Sequence, residues 1–375
     1  MKKWLILSAS LFFWTETHVV ADPVALNPRP RTLGMGGAGA AVSGDKESAS
    51  INPASLHDVE GTHWDVFPLL IQWPFAFGLV NDSIDLSDQL DKAATEAEKR
   101  VLLEDFLREY ASLTETIRLN LYPSYTRKNL HIGLLLDFTV SPRFRLAGTT
   151  SNQLFEGEVS NGTAGLIVAL SHAFLQERLK VGVTVKPLYR LAIFDQSEIT
   201  VHDIFKGQDP GANMTDQIFG ETAASRRAFG LGVDLGARYD LPILESWRPS
   251  LAVTYQDIGD TRFWGSDAPA RIKQSVSLGA AVTKQWGIFK NTLALDFRDV
   301  TQKQTFGNKL HLGAELSVWD FLAFRAGLSQ LYWTLGASMM TKFFDLDVFV
   351  AAEESGEYAR LQEIRTLGLQ LSAGF

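Results

Sequence analysis

From about residue 117 to its end the chain alternates, segment after segment, between an apolar face and a small or polar one, with a period of two. That period belongs to β-strands, whose side chains point alternately to opposite sides. In the closing segment, Arg365 to Phe375, residues Leu367, Leu369, Leu371, Ala373 and Phe375 share one face, and Thr366, Gly368, Gln370, Ser372 and Gly374 the other. The same pattern sets Ile132/Leu134/Leu136/Phe138 against His131/Gly133/Asp137, and Phe229/Leu231/Val233/Leu235 against Gly230/Gly232/Asp234/Gly236. Counted along the chain it predicts about 14 strands, an even number as single-chain membrane barrels require. The fold class that follows is all-β: a transmembrane antiparallel barrel, apolar toward lipid and small or polar toward its lumen.

Connection lengths agree. Short turns are expected near Arg127–Asn129, Leu175–Arg178, Trp286–Phe289, Val318–Phe321 and Lys342–Phe344, alternating with longer loops near 76–115, 144–158, 194–225, 258–271 and 353–362. Outer-membrane barrels pair short periplasmic turns with long external loops in this way. Only Gln330–Leu331 is short on the long-loop side. Aromatic residues recur at the short turns (Phe174, Trp286, Phe289, Trp319, Phe321, Phe343, Phe344) and predict an interfacial girdle, with Trp73, Tyr332 and Trp333 at the other interface. His63 to Phe75 is expected to be a first strand kinked or cut short by Pro68 and Pro74, which lack a ladder donor. Between it and the next strand, Leu86, Leu90, Ala94, Ala97, Val101, Phe106 and Tyr110 recur at helical spacing, which predicts a helical insert over 83–113 inside an external loop.

The first 61 residues do not alternate. Met1 to Ala21 has the form of a secretory signal: Lys2 and Lys3, an apolar stretch from Trp4 to Trp14, then Val19-Val20-Ala21 before Asp22. Residues 22–61 are rich in Pro, Gly, Ala and Ser, a composition that lets backbone approach backbone in a confined space. Gly34, Gly36 and Gly39 have the spacing of a dinucleotide fingerprint, but prolines precede them and no βαβ unit follows, so the context fails. No other apolar run approaches the ~20 residues of a spanning helix. The chain has no cysteine, which removes disulfides and thiol chemistry, and its formal charge of −8 without a Lys/Arg run argues against nucleic acid as a partner.

Arg31, Gly34-Met35-Gly36-Gly37-Ala38, Asp45 and Asn52-Pro53-Ala54 with Leu56, just after a signal peptide, resemble the start of the FadL family of outer-membrane long-chain fatty-acid and hydrocarbon transporters, and of its PorV-type and TraF-like relatives. The resemblance covers residues 31–56 and the terminal strand. It implies a bacterial outer-membrane location, segment 22–61 as a hatch inside the 62–375 barrel, and a hatch motif of Gly34, Gly36, Gly37, Asn52, Pro53 and Ala54. It also implies that Phe375 is read by the barrel-assembly machinery during insertion. Two functions follow: passage of a hydrophobic small molecule, with outer-membrane lipids as surroundings, or a non-transporting barrel that binds a protein of a secretion or conjugation system.

Inward positions carry Arg118, Asp137, Lys186, Asp234, Arg238, Asp296, Arg298, Glu315, Arg325, Asp345 and Asp347, with His311 and His131. Among them Asp296, Arg298, His311, Glu315 and Arg325 are the lumen candidates. Charges of both signs interleaved with glycine favour pairing across the lumen around packed backbone over an open polar path. Asn52 is expected to spend its amide on lumen backbone or charges. No His-x-x-x-His spacing and no Gly-x-Ser-x-Gly elbow occurs, so no enzyme, metal or cofactor is expected.

Overall fold

The computed structural model describes residues 26–374, apart from 43, 45, 76–81, 83, 84, 87, 91, 96, 100, 103, 104, 107–115, 142–144, 148–153, 158, 159, 194–196, 201–224, 267, 355–358, 361 and 362. The signal segment 1–21, Asp45 and Phe375 therefore lie outside the described residues.

Fourteen antiparallel strands close into a ring. The first, β1, runs Thr62–Asp65 and Leu69–Pro74, and β2 runs Ile117–Leu121 and Ser124–Arg127. Then follow β3 (Leu130–Val140), β4 (Ser160–Phe174), β5 (Leu179–Ile193), β6 (Ser225–Asp240), β7 (Ser250–Gln256, resumed at Phe263–Trp264) and β8 (Ser275–Trp286). The rest are β9 (Phe289–Phe297), β10 (Leu310–Val318), β11 (Leu322–Ser329), β12 (Tyr332–Met340), β13 (Phe344–Glu354) and β14 (Glu363–Ala373). Each pairs with its sequence neighbour, and β14 returns to β1 through Leu69↔Leu371 and Trp73↔Leu367. A closed ring leaves no unpaired edge, which is what an apolar solvent demands of a sheet.

Three strands are interrupted, each for a local reason. The β1 break at 66–68 ends on Pro68, and the amides of Val66 and Phe67 both reach the Ala373 carbonyl, at 2.9 and 3.2 Å. Beside it, β2 breaks at Pro123, and Tyr122 turns into the lumen. In β7 a bulge follows Gln256, with Asp257 at φ 51° and Asp260 at φ 65°. Such bulges re-aim side chains, and this one turns the Asp257 carboxylate inward to Lys186, 2.8 Å away.

The wall is lopsided: β4, β5 and β6 are 15, 15 and 16 residues long, whereas β9 to β12 have 9, 9, 8 and 9. Outside the ring, Arg145–Ala147, Leu154–Gly157 and Ser197–Thr200 form a separate three-stranded sheet on the long-loop side. Leu119, Leu134, Leu166, Leu235, Leu295, Phe324 and Leu335 are exposed on the outer face, forming the band that meets hydrocarbon. Among the described residues no helix is long and apolar enough to cross a membrane.

The expected short turns are present, and two connections add to them: 241–249 on the short-turn side and 298–309 on the other. Of the girdle residues, Phe174, Trp286, Phe289, Trp319, Phe321, Phe343 and Trp333 are exposed. Tyr332 is a correction: its ring faces the lumen and its hydroxyl donates to Glu354 at 2.9 Å, because it shares the face of Thr334 rather than that of Trp333. Within the insert, the described residues at 85–86, 88–90, 97–99, 101–102 and 105–106 are helical, with Leu86 and Phe106 buried; the rest of 83–113 is partly outside the described residues.

Candidate functional site: a plugged lumen

The described residues between Leu26 and Val59 pack against the inward face of the ring. Helical turns at Pro30–Gly34, Ser48–Ser50 and Pro53–Asp58 are joined by tight glycine-rich backbone, and Met35, Ala38, Ala40, Ala41, Ala54 and Leu56 are buried. The inward glycines of the wall supply the room. A Cβ on Gly236 would overlap the Asn52 side chain, one on Gly182 would overlap the Pro53 backbone, and those on Gly313 and Gly327 would meet Met35. Gly36, at φ 66°, takes the left-handed turn that seats this backbone against β10 and β11.

Asn52 is 1% exposed, but its amide serves the plug and not the wall. Nδ2 donates to the Ala40 carbonyl at 2.7 Å, and Oδ1 accepts from the Ala54 amide at 3.0 Å, capping the turn that Pro53 begins. The expectation that Asn52 bonds lumen groups is corrected to that extent: the 40s and 50s segments are clasped to each other, and their joint surface meets the glycine floor.

Wall-to-plug bonds come from the charged and polar inward residues. Arg31 reaches Glu315 through Nη2 at 2.6 Å and Nε at 2.9 Å, and Arg325 donates to the same carboxylate at 2.7 Å. Asp296 Oδ2 accepts from the amides of Gly39 and Ala40, both at 2.8 Å. His311 Nδ1 donates to the Gly36 carbonyl at 2.7 Å, and Thr334 to that of Gly34 at 3.0 Å. Lys46 bridges Asp65 (2.6 Å) and Asp345 (2.8 Å). At the far side, Asp58 is held by Lys180 (2.5 Å) and by Arg238, which also pairs with Asp240 (2.8 Å). Burial raises the Asp58 carboxyl, but Arg238 and Lys180 outweigh it and hold the group below its ordinary value. Arg298 is half-buried, with its guanidinium near Gly37 and His311. Of the five lumen candidates, Asp296, His311, Glu315 and Arg325 are thus brought together around the plug, and Arg298 borders it.

Sequence reasoning missed the apolar part of the lumen. Farther from the short turns, Leu135, Ile167, Leu188, Ala228 and Phe263 face inward with Tyr122 and form one buried cluster, which Leu26 of the plug also touches. On β1 and β13, Leu70, Phe349 and Ala351 form another against Leu33. A signal was available: Leu134-Leu135-Leu136 and Leu166-Ile167-Val168 are apolar on both faces, where strict alternation calls for an inward polar residue. Charges are excluded from this cluster by pairing at its margin, Arg118 with Asp137 at 2.6 Å and Lys186 with Asp234 at 2.8 Å. Arg29 lies over the Tyr122 ring, 4.4 Å from its centroid. Among the described residues no group of three His, Cys, Asp or Glu is placed to hold a metal.

Neither known family models nor curated protein sequences match the chain. Solved structures do. A deltaS2 mutant of TodX, a monoaromatic hydrocarbon channel, superposes with a TM-score of 0.51 at 11% identity, over 92% of this chain and 97% of that one. TbuX, the toluene transporter of Ralstonia pickettii, gives 0.48 at 13% over 93% and 98%, and a FadL homologue of Pseudomonas aeruginosa 0.46 at 11% over 92% and 98%. The fold is shared with TodX along nearly the whole of both chains.

Proposed function

We propose that this barrel, of the FadL type in fold, passes hydrophobic small molecules, long-chain fatty acids or hydrocarbons, across the bacterial outer membrane, with segment 22–61 as its hatch. The observation that carries this is the inward apolar cluster of Leu135, Ile167, Leu188 and Phe263 beside a plug gripped by buried ion pairs. A water-filled pore has no use for a lumen face that repels water, whereas a long apolar ligand gains ~0.8 kcal/mol for each methylene it buries there. TodX, by name a hydrocarbon channel, has the same architecture. The helical insert in the long connection between β1 and β2 is a natural first docking place: a concavity of about 570 Å³ is lined by Ala93, Ala97, Val101 and Leu102 together with Gln89, Lys92 and Glu98. On this view Phe375 serves insertion by the assembly machinery and takes no part in passage.

The test is binding and passage of a fatty-acid or alkane series by the purified barrel. Affinity should rise about fourfold per methylene, with little ion conductance in planar bilayers. Ile167→Ser with Leu188→Ser should flatten that slope and leave heat-modifiable migration unchanged. Steady porin-like currents through the unaltered protein, or a slope of zero across the series, would refute the proposal.

A further inference from the structure

On the outer wall, away from the lumen, an apolar concavity of about 720 Å³ crosses five strands from β7 to β11. Its length follows one register row, Leu251↔Ala280, Ala280↔Leu295, Leu295↔Leu312 and Leu312↔Leu328. Alanine at 280, 314 and 326, where the rest of the outer face carries mostly larger apolar side chains, makes the depression. Four interstrand spacings of ~4.8 Å give it a length of about 19 Å. Because strands in such barrels tilt by ~40°, the row rises about 12 Å through the bilayer, within the ~15 Å depth of one leaflet.

At the short-turn end the concavity reaches Leu241 and Pro249. Beside that end stands Lys284, two residues beyond Val282 on the same outward face of β8. Its ammonium lies 4.4 Å from the Trp247 ring centroid and 5.1 Å from that of Trp286. Among the described residues no carboxylate pairs with it. Indoles at this level fix the interface between headgroups and hydrocarbon. A cation held there without a counter-charge, opening on an apolar furrow one leaflet deep, is complementary to an anionic headgroup with a chain attached. No residue lining the furrow is acidic, so a second copy docked furrow to furrow would supply no anion for Lys284.

We propose that this wall binds one anionic phospholipid of the periplasmic leaflet, its phosphate at Lys284 between the two indoles and one acyl chain along the furrow past Ala280, Ala314 and Ala326. The site is independent of passage through the lumen. The experiment reconstitutes the full-length barrel in nanodiscs holding a trace of phosphatidylglycerol with a photoactivatable acyl chain, and maps the label. The peptides of β8 to β11 should be labelled, and unlabelled phosphatidylglycerol should compete better than phosphatidylcholine. Ala314→Phe with Ala326→Phe should abolish labelling, and Lys284→Gln should weaken it about fivefold. Leu134→Phe on the opposite wall should change nothing, and heat-modifiable migration confirms that each variant is folded. Equal labelling in all variants, equal competition by the two lipids, competition only by a headgroup-free alkane, or a cross-link between two barrels at this face would each overturn the proposal.

Discussion

On the short wall, β9 to β12, the inward residues are given over to the plug: Asp296, His311, Glu315 and Thr334 bond to it, Arg325 holds Glu315 from the wall side, and Gly313 and Gly327 make room for it. On the tall wall, β4 to β6, only the part nearest the short turns does so, through Lys180, Gly182, Gly236 and Arg238. Beyond them the same strands turn Ile167, Leu188 and Ala228 inward. One set of strands therefore builds a grip and an apolar face, divided by height and by side. The difference teaches that inward polarity here follows what each position faces. Positions meeting plug backbone need hydrogen-bond partners or no side chain at all, and apolar positions that meet one another need neither.

The largest effect that separates the two walls is expected at Glu315, which answers both Arg31 and Arg325. Glu315→Ala removes the carboxylate that buried Arg325 and partly buried Arg31 share, a loss of up to ~3–5 kcal/mol for a broken buried pair. The plug should become accessible to added protease and bilayer conductance should rise, while the chain-length slope of ligand binding stays. A loss of that slope as well would mean that grip and apolar face are one unit. The tall-wall counterpart is smaller. Gly236→Val pushes a side chain into Asn52, and overpacking of ~1–3 kcal/mol should raise the plug-open population roughly tenfold. Single-channel recordings would show it as brief openings, and a wholly silent variant would mean that the plug yields locally.

The smallest effect is pH-dependent and lies at Asp58. Its carboxyl is held below the ordinary value in the folded protein, so its contribution is fully present above the unfolded value of ~3.9 and is lost as pH falls through the lower folded one. Leak should be flat from neutral pH down to the ordinary carboxylate range and rise only in stronger acid. In Asp58→Asn that acid step should be absent, with a modest leak at every pH. A step near pH 6 would rule out Asp58 as its source.

Much of this was legible along the chain. Period-two alternation is a local property, so it fixed strand type, the lipid-facing set and the number of strands, and Pro68, expected to interrupt the first strand, is where β1 breaks. Parity also placed Asp296, His311, Glu315 and Arg325 inward, and it was a parity error that put Tyr332 outward. Local pattern held no information about partners. That Glu315 meets Arg31, 284 residues away, or that Asn52 turns back to Ala40 instead of to the wall, depends on ring closure and on how far the plug rises along each strand. The apolar cluster was hidden for a related reason: parity puts Leu135 and Ile167 on the inward face, but only the assembled barrel brings them together there with Leu188, Ala228 and Phe263.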